Sequence, residues 1–218
     1  MIPIFLGYDL RESVGYHTCV QSLLDRTKSK ISVSPVTGER RDGTNDFVYA
    51  RFLTPFLSGF RGWAIFADGS DMLFREDVEN LWALRDSRYA AMVVKHNYIT
   101  RHKRKYIGSK MEADNASYYR KNWSSLVLWN CGHKRNRVLT PENIATQSGA
   151  NLHRFSWLLD SEIGALPTKW NVLIGEDGEE GPCAVAHFTL GIPAFPYYVK
   201  CRYASEWFAT YDRMRNAG

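Results

Sequence analysis

The chain has 218 residues, of which 44% are hydrophobic and 14% aromatic, and its formal net charge is +5. This length and apolar content suit one ordinary domain with a buried core. The small positive excess is compatible with an anionic ligand such as a nucleotide, an anionic membrane surface or nucleic acid, and it does not choose among them.

The four cysteines form no CxxC pair, so the sequence indicates neither a disulfide scaffold nor a zinc knuckle. A reducing compartment is therefore expected. The first residues lack the pattern of a signal peptide, and no apolar run reaches the roughly 20 residues of a membrane-spanning helix. We predict a soluble, cytoplasmic protein, attached at most to the surface of a membrane.

The first elements predict a β-α-β unit. Residues 2–9 form an apolar run that ends in Gly-Tyr-Asp, as a buried strand entering a loop does. Residues 12–27 carry an apolar helical stripe, and residues 30–36 predict a second strand. This order favours a parallel sheet covered by helices.

The middle of the chain continues the alternation of predicted strands and helices. Residues 45–60 predict a helix interrupted near Pro55, and residues 62–74 predict one strand that carries two aspartates. A short helix over residues 76–86 has acidic residues in its first turn, which the helix dipole favours. Another strand is predicted over residues 89–96.

Residues 97–122 are polar and basic and predict a long loop or excursion. A further strand follows at 124–133, and residues 140–166 predict helices that begin at Thr140 and Pro141, a good N-cap and first-turn pair. A late strand over 183–193 and a helix from residue 203 complete the pattern. We therefore predict a single α/β domain over residues 1–218, with a mixed, mainly parallel sheet flanked by helices.

Polar side chains follow four of the predicted strands. They are Tyr8 and Asp9, Asp68 and Asp71, Asn130 and His133, and His187. In open α/β sheets, ligands bind at the carboxyl ends of the strands. The coincidence of four such ends predicts a site there.

Asp68, Asp71 and His187 form a credible ligand set for a divalent metal. Carboxylate oxygens and a neutral imidazole suit Mn²⁺ or Mg²⁺ with a phosphate partner, and such a metal would neutralise a leaving diphosphate. The alternatives are that the aspartates are turn residues and that His187 is a core histidine.

Several segments, in their order along the chain, resemble the GT-A-fold nucleotide-sugar glycosyltransferases. They read IFLGYD, YARFLTPFL, IFADGSDMLF, NWSSLVLWNCGH, WLLDSEIGALPTKWN and AHFTLGIP. The likeness extends from residue 2 to about residue 196 and is greatest to glycosyltransferase family 8, the group of glycogenin and the lipopolysaccharide galactosyltransferases.

The resemblance implies a GT-A-like (Rossmann-like) fold and transfer of a sugar from a UDP-sugar to a hydroxyl acceptor, with retention of anomeric configuration. It implies a metal at Asp68, Asp71 and His187, with Mn²⁺ expected and Mg²⁺ as the alternative. The other implied roles are uridine contact by Tyr8 and Asp9, donor binding by Arg51, a catalytic position near the donor sugar for Asp160, and a diphosphate turn at Gly191.

The sequence departs from the family in two places. The family has Asp-x-Asp, whereas this chain has Asp68-Gly69-Ser70-Asp71. Asp71 is therefore the expected ligand, and Asp68 is expected to reach the metal only through a local bulge. The family's Lys-Pro-Trp after the late histidine is also absent, which leaves the diphosphate lysine unassigned, with Lys95 and Lys200 as candidate substitutes.

The basic run at residues 101–105 is interpreted either as a solvated loop or as a contact for an acidic or lipid-linked acceptor at a membrane surface. Nucleic acid ranks lower because no recognised binding motif accompanies it. Asn130 and His133 are predicted acceptor contacts, within a segment whose Asn122, Trp123, Ser124 and Trp129 offer further sugar contacts. The competing functions are a sugar nucleotidyltransferase and a non-catalytic carbohydrate- or nucleic-acid-binding module.

Overall fold

The fold is organised around a six-stranded sheet and a three-stranded sheet, in a computed structural model that describes residues 1–39, 45–176 and 180–216. The strands are β1 (Ile2–Gly7), β2 (Ile31–Val36), β3 (Trp63–Ala67), β4 (Met72–Phe74), β5 (Ala91–Val93), β6 (Arg104–Lys105), β7 (Ala113–Asp114), β8 (Leu126–Asn130), β9 (Ile163–Ala165), β10 (Val172–Leu173) and β11 (Val185–His187).

Helices connect and cover these strands. The α-helices are α1 (Ser13–Arg26), α2 (Thr54–Leu57), α3 (Val78–Trp82), α4 (Pro141–Thr146), α5 (Gly149–His153) and α6 (Ala204–Arg215). Short 3₁₀ segments lie at Leu10–Glu12, Ala50–Leu53, Trp123–Ser125, Lys134–Val138, Asp160–Glu162, Thr168–Asn171 and Pro196–Tyr198.

The large sheet has the order β2-β1-β3-β8-β5-β9. β1 runs parallel to β2 and β3, and β5 runs parallel to β9, whereas β8 is antiparallel to both of its neighbours, β3 and β5. The predicted fold class, a mixed and mainly parallel sheet flanked by helices, is confirmed. The direction of β8 has consequences for the site.

The two faces of the large sheet are buried in separate apolar clusters. Ile4 and Leu6 of β1 pack in one cluster with Leu23 of α1, and Phe66 of β3 packs in the other with Phe52. The alternation of inward positions along each strand produces these two faces. A third cluster joins the small sheet, in the order β10-β11-β4, to Trp207 of α6.

Three predicted elements differ from the structure. Residues 62–74 are not one strand, because a turn after Ala67 sends β4 into the small sheet. Pro55 lies in the first turn of α2 and helps to start that helix, where proline's missing N–H is tolerated. Residues 163–165 form strand β9 instead of a helix; a Cβ on Gly164 would lie 2.6 Å from the Tyr89 ring, so tertiary packing overrides the local pattern.

The predicted excursion over residues 97–122 is confirmed as loop, with β6 and β7 paired antiparallel inside it. Across the described residues, none of the helices has the length and apolar character needed to cross a membrane.

Candidate active site

A cavity of about 440 Å³ opens at the carboxyl end of β3, beside His187 of β11. Its floor is formed by buried charged residues and its walls by the excursion and α5. The lining residues that matter below are Asn45, Arg51, Asp68, Asp71, Lys105, Asp114, Asn115, Tyr118, Lys121, Asn122, Ser124, Ser125, His153, Arg154, His187 and Thr189.

The turn after β3 places both aspartates in this cavity. The backbone N–H of Asp71 donates to the carbonyl of Asp68 at 3.3 Å, which closes a four-residue turn. Gly69 fits against β1, since a Cβ there would lie 2.8 Å from the Leu6 Cβ. The extra residue is accommodated in this turn and not in a bulged strand, and both carboxylates are buried and line the cavity; metal binding by Asp68 stays a prediction.

His187 reaches the same point from the small sheet. β11 pairs with β4 so that His187 stands opposite Met72, and the N–H of Phe188 donates to the carbonyl of Asp71 at 2.8 Å. The His187 Nε2 lies 3.4 Å from the Asp71 Oδ2. One ligand atom from each of Asp68, Asp71 and His187 falls within 4.8 Å of the others. His187 is thus buried as a core histidine would be and also lies where it could bind a metal, so its position fits both interpretations.

Asn171 fixes the orientation of the His187 ring. Its amide nitrogen donates to the Ser125 Oγ at 2.8 Å and to the Asn122 carbonyl at 3.3 Å, so its oxygen faces the His187 Nδ1 at 2.9 Å. The Nδ1 must then carry the proton of the neutral ring. Nε2, which points toward the aspartates, is left with its lone pair, as a metal ligand requires.

If His187 binds Mn²⁺, Asn171→Ala should weaken that binding by about 10- to 100-fold, the usual cost of removing an outer partner of a ligating histidine. Calorimetric titration with Mn²⁺ would measure this change. Asn80→Ala, at an exposed position on α3, is the control and should bind Mn²⁺ as the wild type does. Equal affinity in Asn171→Ala would show that the ring needs no such partner.

Arg51 faces the aspartates from the 3₁₀ segment Ala50–Leu53. Its Nη1 lies 2.8 Å from the Asp68 Oδ1 and donates to the Ser124 carbonyl at 3.2 Å. The guanidinium also stands 5.2 Å from the centre of the Phe47 ring. Burial raises the pKa of Asp68 to about 6, with the positive charge of Arg51 opposing the rise and the neighbouring Asp71 carboxylate adding to it.

Two lysines that sequence reasoning did not assign also line the cavity. Lys105 is the last residue of the basic run; burial lowers its pKa, against the opposing effect of the nearby Asp71, Asp68 and Glu12 carboxylates. The Lys121 Nζ donates to the Asn115 Oδ1 at 2.5 Å and to the Ala116 carbonyl at 2.7 Å. Burial lowers the pKa of Lys121 to about 8, with Lys105 adding to the effect.

The candidate substitutes for the diphosphate lysine do not reach this cavity. Lys95 is exposed, with its Nζ 5.7 Å from the centre of the Trp123 ring, and Lys200 is exposed next to the Pro196–Tyr198 segment. Among the described lining residues the lysines are Lys105 and Lys121. The remaining residues of the basic run, 101–104, have exposed side chains, which both interpretations of the run allow.

Three residues predicted to bind the donor are not among the described residues that line this cavity. The Asp9 carboxylate is fully buried and accepts from the Arg11 Nε at 2.9 Å and from the N–H of Asp46 at 3.1 Å. Tyr8 packs edge-on against Tyr16. Gly191 has φ +152°, and a Cβ there would lie 2.3 Å from the Tyr198 ring.

The remaining three predicted residues lie elsewhere. Asp160, the predicted catalytic residue, begins the segment before β9; its side chain is 81% exposed and pairs with Arg120, away from the described cavity lining. Asn130 is the last residue of β8 and His133 follows it; the antiparallel direction of β8 sets Asn130 opposite Trp63, at the start of β3. They therefore lie at the far edge of the sheet from Asp68, so the prediction that they share a site with Asp68 and Asp71 is wrong, and their contact with an acceptor stays a prediction.

The direction of β8 also explains which residues line the cavity in place of Asn130 and His133. An antiparallel strand brings its amino end to the cavity, and Leu126 accordingly pairs with Ala67. Asn122, Ser124 and Ser125, which precede β8, line the cavity. Trp129 is buried in the core, with 1% of its surface exposed.

The fold is GT-A-like and is similar to the folds of solved glycosyltransferases. The galactosyltransferase LgtC, solved in complex with donor and acceptor sugar analogues, superposes with a TM-score of 0.63 at 12% identity, over 97% of this chain and 95% of LgtC. The glycosyltransferase GlyE of Streptococcus pneumoniae TIGR4 gives a TM-score of 0.61 at 13% identity, over 99% of this chain. The chain spans 62% of the length of GlyE.

The chain belongs to the family of Protein CDI from Arabidopsis thaliana. The two sequences are 40% identical over 222 residues, which cover 94% of this chain and 83% of Protein CDI. No protein-family model matches the sequence. The predicted glycosyltransferase fold is confirmed, and the closer assignment to family 8 stays a prediction.

Proposed function

We propose that this chain is a metal-dependent glycosyltransferase that moves a sugar from a nucleotide-sugar, expected to be a UDP-sugar, to a hydroxyl acceptor. The observation that carries the proposal is the buried cluster of Asp68, Asp71 and His187, which faces Arg51 inside a cavity. Two carboxylates buried side by side repel each other and are costly to the fold, so their concentration at one point favours a functional role.

The cluster fits a divalent cation in its donor atoms. Two carboxylates and the lone pair of an imidazole suit Mn²⁺, with Mg²⁺ as the alternative. The Asp71 Oδ1 is buried and has no hydrogen-bond partner among the described residues, as expected for an oxygen that binds a cation. When bound, the metal would supply positive charge to the diphosphate of the donor.

The surrounding cations would assist departure of the leaving group. In the transfer, the acceptor oxygen bonds to the anomeric carbon while the bond from that carbon to the diphosphate oxygen breaks and its electron pair leaves with UDP; the hydroxyl proton is released. Arg51, Lys105 and Lys121 present positive charge in the cavity where this negative charge develops. Fixed charges in a partly dehydrated site are effective at this task.

The stereochemical outcome is proposed as retention, which the resemblance to family 8 implies. The coupling constant of the anomeric proton in the product would report it.

For the rival nucleotidyltransferase, a Gly-rich basic loop would be needed directly after the first strand. The chain instead has the 3₁₀ segment Leu10–Glu12, in which Arg11 is bound to Asp9.

Titration of the wild-type protein with UDP, in Mn²⁺ and again in excess EDTA, tests the proposal. We expect UDP to bind in Mn²⁺ and to lose at least about 100-fold in affinity without it, since both the metal and its charge are removed. A panel of UDP-sugars should release UDP slowly by transfer to water. UDP binding that is unaffected by EDTA, with no release of UDP from any donor, would instead support a non-catalytic binding module.

A further inference from the structure

A second cavity, of about 470 Å³, adjoins the first and is built almost entirely from the excursion. We call it the aromatic cavity. It is lined by His96, Asn97, Tyr98, Ile99, Ser117, Tyr118, Tyr119, Arg120, Lys121 and Trp123. Rings contribute a large share of this wall. Its described lining contains two cationic side chains, Arg120 and Lys121, and no carboxylate.

The rings of the aromatic cavity are held in place and partly open to solvent. The Trp123 Nε1 donates to the His96 carbonyl at 2.8 Å, and the Arg120 guanidinium lies 4.9 Å from the Trp123 ring and 5.0 Å from the Tyr119 ring. Tyr119 is 62% exposed and Tyr118 is 44% exposed. Rigid aromatic faces with negative electrostatic potential attract the polarised C–H groups on the flat side of a sugar ring.

Polar groups lie among these rings. The His96 Nε2 is buried and lacks a hydrogen-bond partner among the residues that the structure describes. Asn97 and Ser117 add an amide and a hydroxyl to the same wall. A saccharide needs this combination, because its hydroxyls must recover the hydrogen bonds that they lose on leaving water.

The aromatic cavity shares part of its wall with the candidate active site. Tyr118 and Lys121 line both cavities. In addition, the Tyr98 hydroxyl of the aromatic cavity accepts from the Asn122 Nδ2 at 2.8 Å, and the Asn122 carbonyl accepts from Asn171, the partner of His187. A ligand in the aromatic cavity would therefore lie next to the donor.

The backbone between the cavities is strained. Arg120 and Asn122 have φ of +62° and +63°, in the left-handed region that non-glycine residues rarely adopt. Asn122 is held there by its bond to Tyr98, and Arg120 by its bonds to Asp160 and to the Arg154 carbonyl. Strain of this kind concentrates at ligand sites, where the surrounding contacts maintain it.

We propose that the aromatic cavity is the acceptor subsite and that the acceptor is a saccharide, whose ring stacks on Tyr119 and Trp123 and whose reacting hydroxyl points past Tyr118 into the first cavity. This proposal rests on the proposed function. It assigns acceptor recognition to the two ends of the excursion, residues 97–99 and 117–121, and not to the basic run at 101–105.

The test uses the full chain and a panel of neutral and anionic di- and trisaccharides, screened by saturation-transfer NMR and then titrated. The wild type is expected to bind at least one member. Tyr119→Ala should weaken that binding by about tenfold or more, since an exposed stacking face is removed. Tyr197→Ala, at a tyrosine of similar exposure (65%) on the Pro196–Tyr198 segment, is the matched control and should leave saccharide binding unchanged.

Binding of UDP in Mn²⁺ by the same variants separates this proposal from the proposed function. Tyr119→Ala should bind UDP as the wild type does, which also shows that it is folded. The acceptor proposal is overturned if no saccharide binds, or if Tyr119→Ala binds the saccharide as well as the wild type does. If the wild type does not bind UDP in Mn²⁺, that result would instead count against the proposed transferase.

Discussion

Asp71→Ala is expected to abolish metal-dependent UDP binding while leaving the protein folded and more stable. Removal of a direct ligand should cost more than the 10- to 100-fold that loss of an outer partner costs, so we expect a loss of more than about 100-fold in Mn²⁺ affinity. The Asp71 carboxylate raises the pKa of both Asp68 and Glu12 by repulsion, after the larger effect of burial. Its deletion therefore relieves repulsion between buried carboxylates.

This pairing of lost binding with gained stability separates a ligand from a structural residue. Asp114→Ala is the matched control, because Asp114 lines the same cavity but its side chain is 88% exposed and pairs with Arg104. It removes the same charge from the cavity and should retain metal-dependent UDP binding. If Asp71→Ala binds UDP in Mn²⁺ as tightly as the wild type, the assignment of the metal site is incorrect.

Strand direction is the physical fact that the sequence could not supply. The apolar run at 124–133 predicts a strand, and β8 is one, but nothing in its residues shows whether it runs with or against its neighbours. A parallel β8 would have brought Asn130 and His133 to the cavity. The antiparallel strand brings Asn122, Ser124 and Ser125 there instead. The direction of β8 depends on the path that the chain takes through the excursion, and the sequence of the excursion has no hydrophobic periodicity from which that path could be predicted.

The sequence did identify several residues that line the cavity, and most of them lie at strand ends or in the turn after a strand. Asp68 and Asp71 share one turn, and His187 ends a strand that pairs with the strand after that turn. Arg51 was assigned through the family resemblance and lies beside Asp68. Lys105 was missed because its charge looked like part of a solvated run. Lys105 lies in β6, which pairs with β7. Each of these strands has only two residues, which is too short for a sequence pattern to predict.

Asp160 shows the limit of carrying a role by resemblance. The segment around it matches the family pattern, yet the structure pairs its exposed carboxylate with Arg120. The same arginine packs between Tyr119 and Trp123 in the aromatic cavity. The catalytic role of Asp160 stays a prediction, and its side chain is not among the described residues that line the first cavity.

Arg51→Met is expected to lower the free energy of unfolding at neutral pH by about 3–5 kcal/mol, the usual result of removing one partner from a buried ion pair. The Arg51 and Asp68 side chains are 6% and 9% exposed, so solvent cannot replace the lost partner. Urea denaturation would measure the change. Arg213→Met, at an exposed pair with Asp25, is the control and should cost less than about 1 kcal/mol.

The deficit of Arg51→Met should also depend on pH in a defined direction. The folded-state pKa of Asp68 is about 6, above its ordinary value of 3.8, so the contribution of this group to stability is fully present below pH 3.8 and is lost as the pH rises through 6. Arg51 is the charge that limits this rise, and its removal raises the folded-state pKa further. The difference between wild type and variant should therefore be greatest above pH 6 and should shrink toward pH 4. In the double variant Arg51→Met/Asp68→Asn, position 68 no longer carries a charge that needs a partner, so most of the lost stability should return at neutral pH. A deficit that is constant with pH and persists in the double variant would mean that Arg51 stabilises the fold through its packing against Phe47 and Phe66, and not through Asp68.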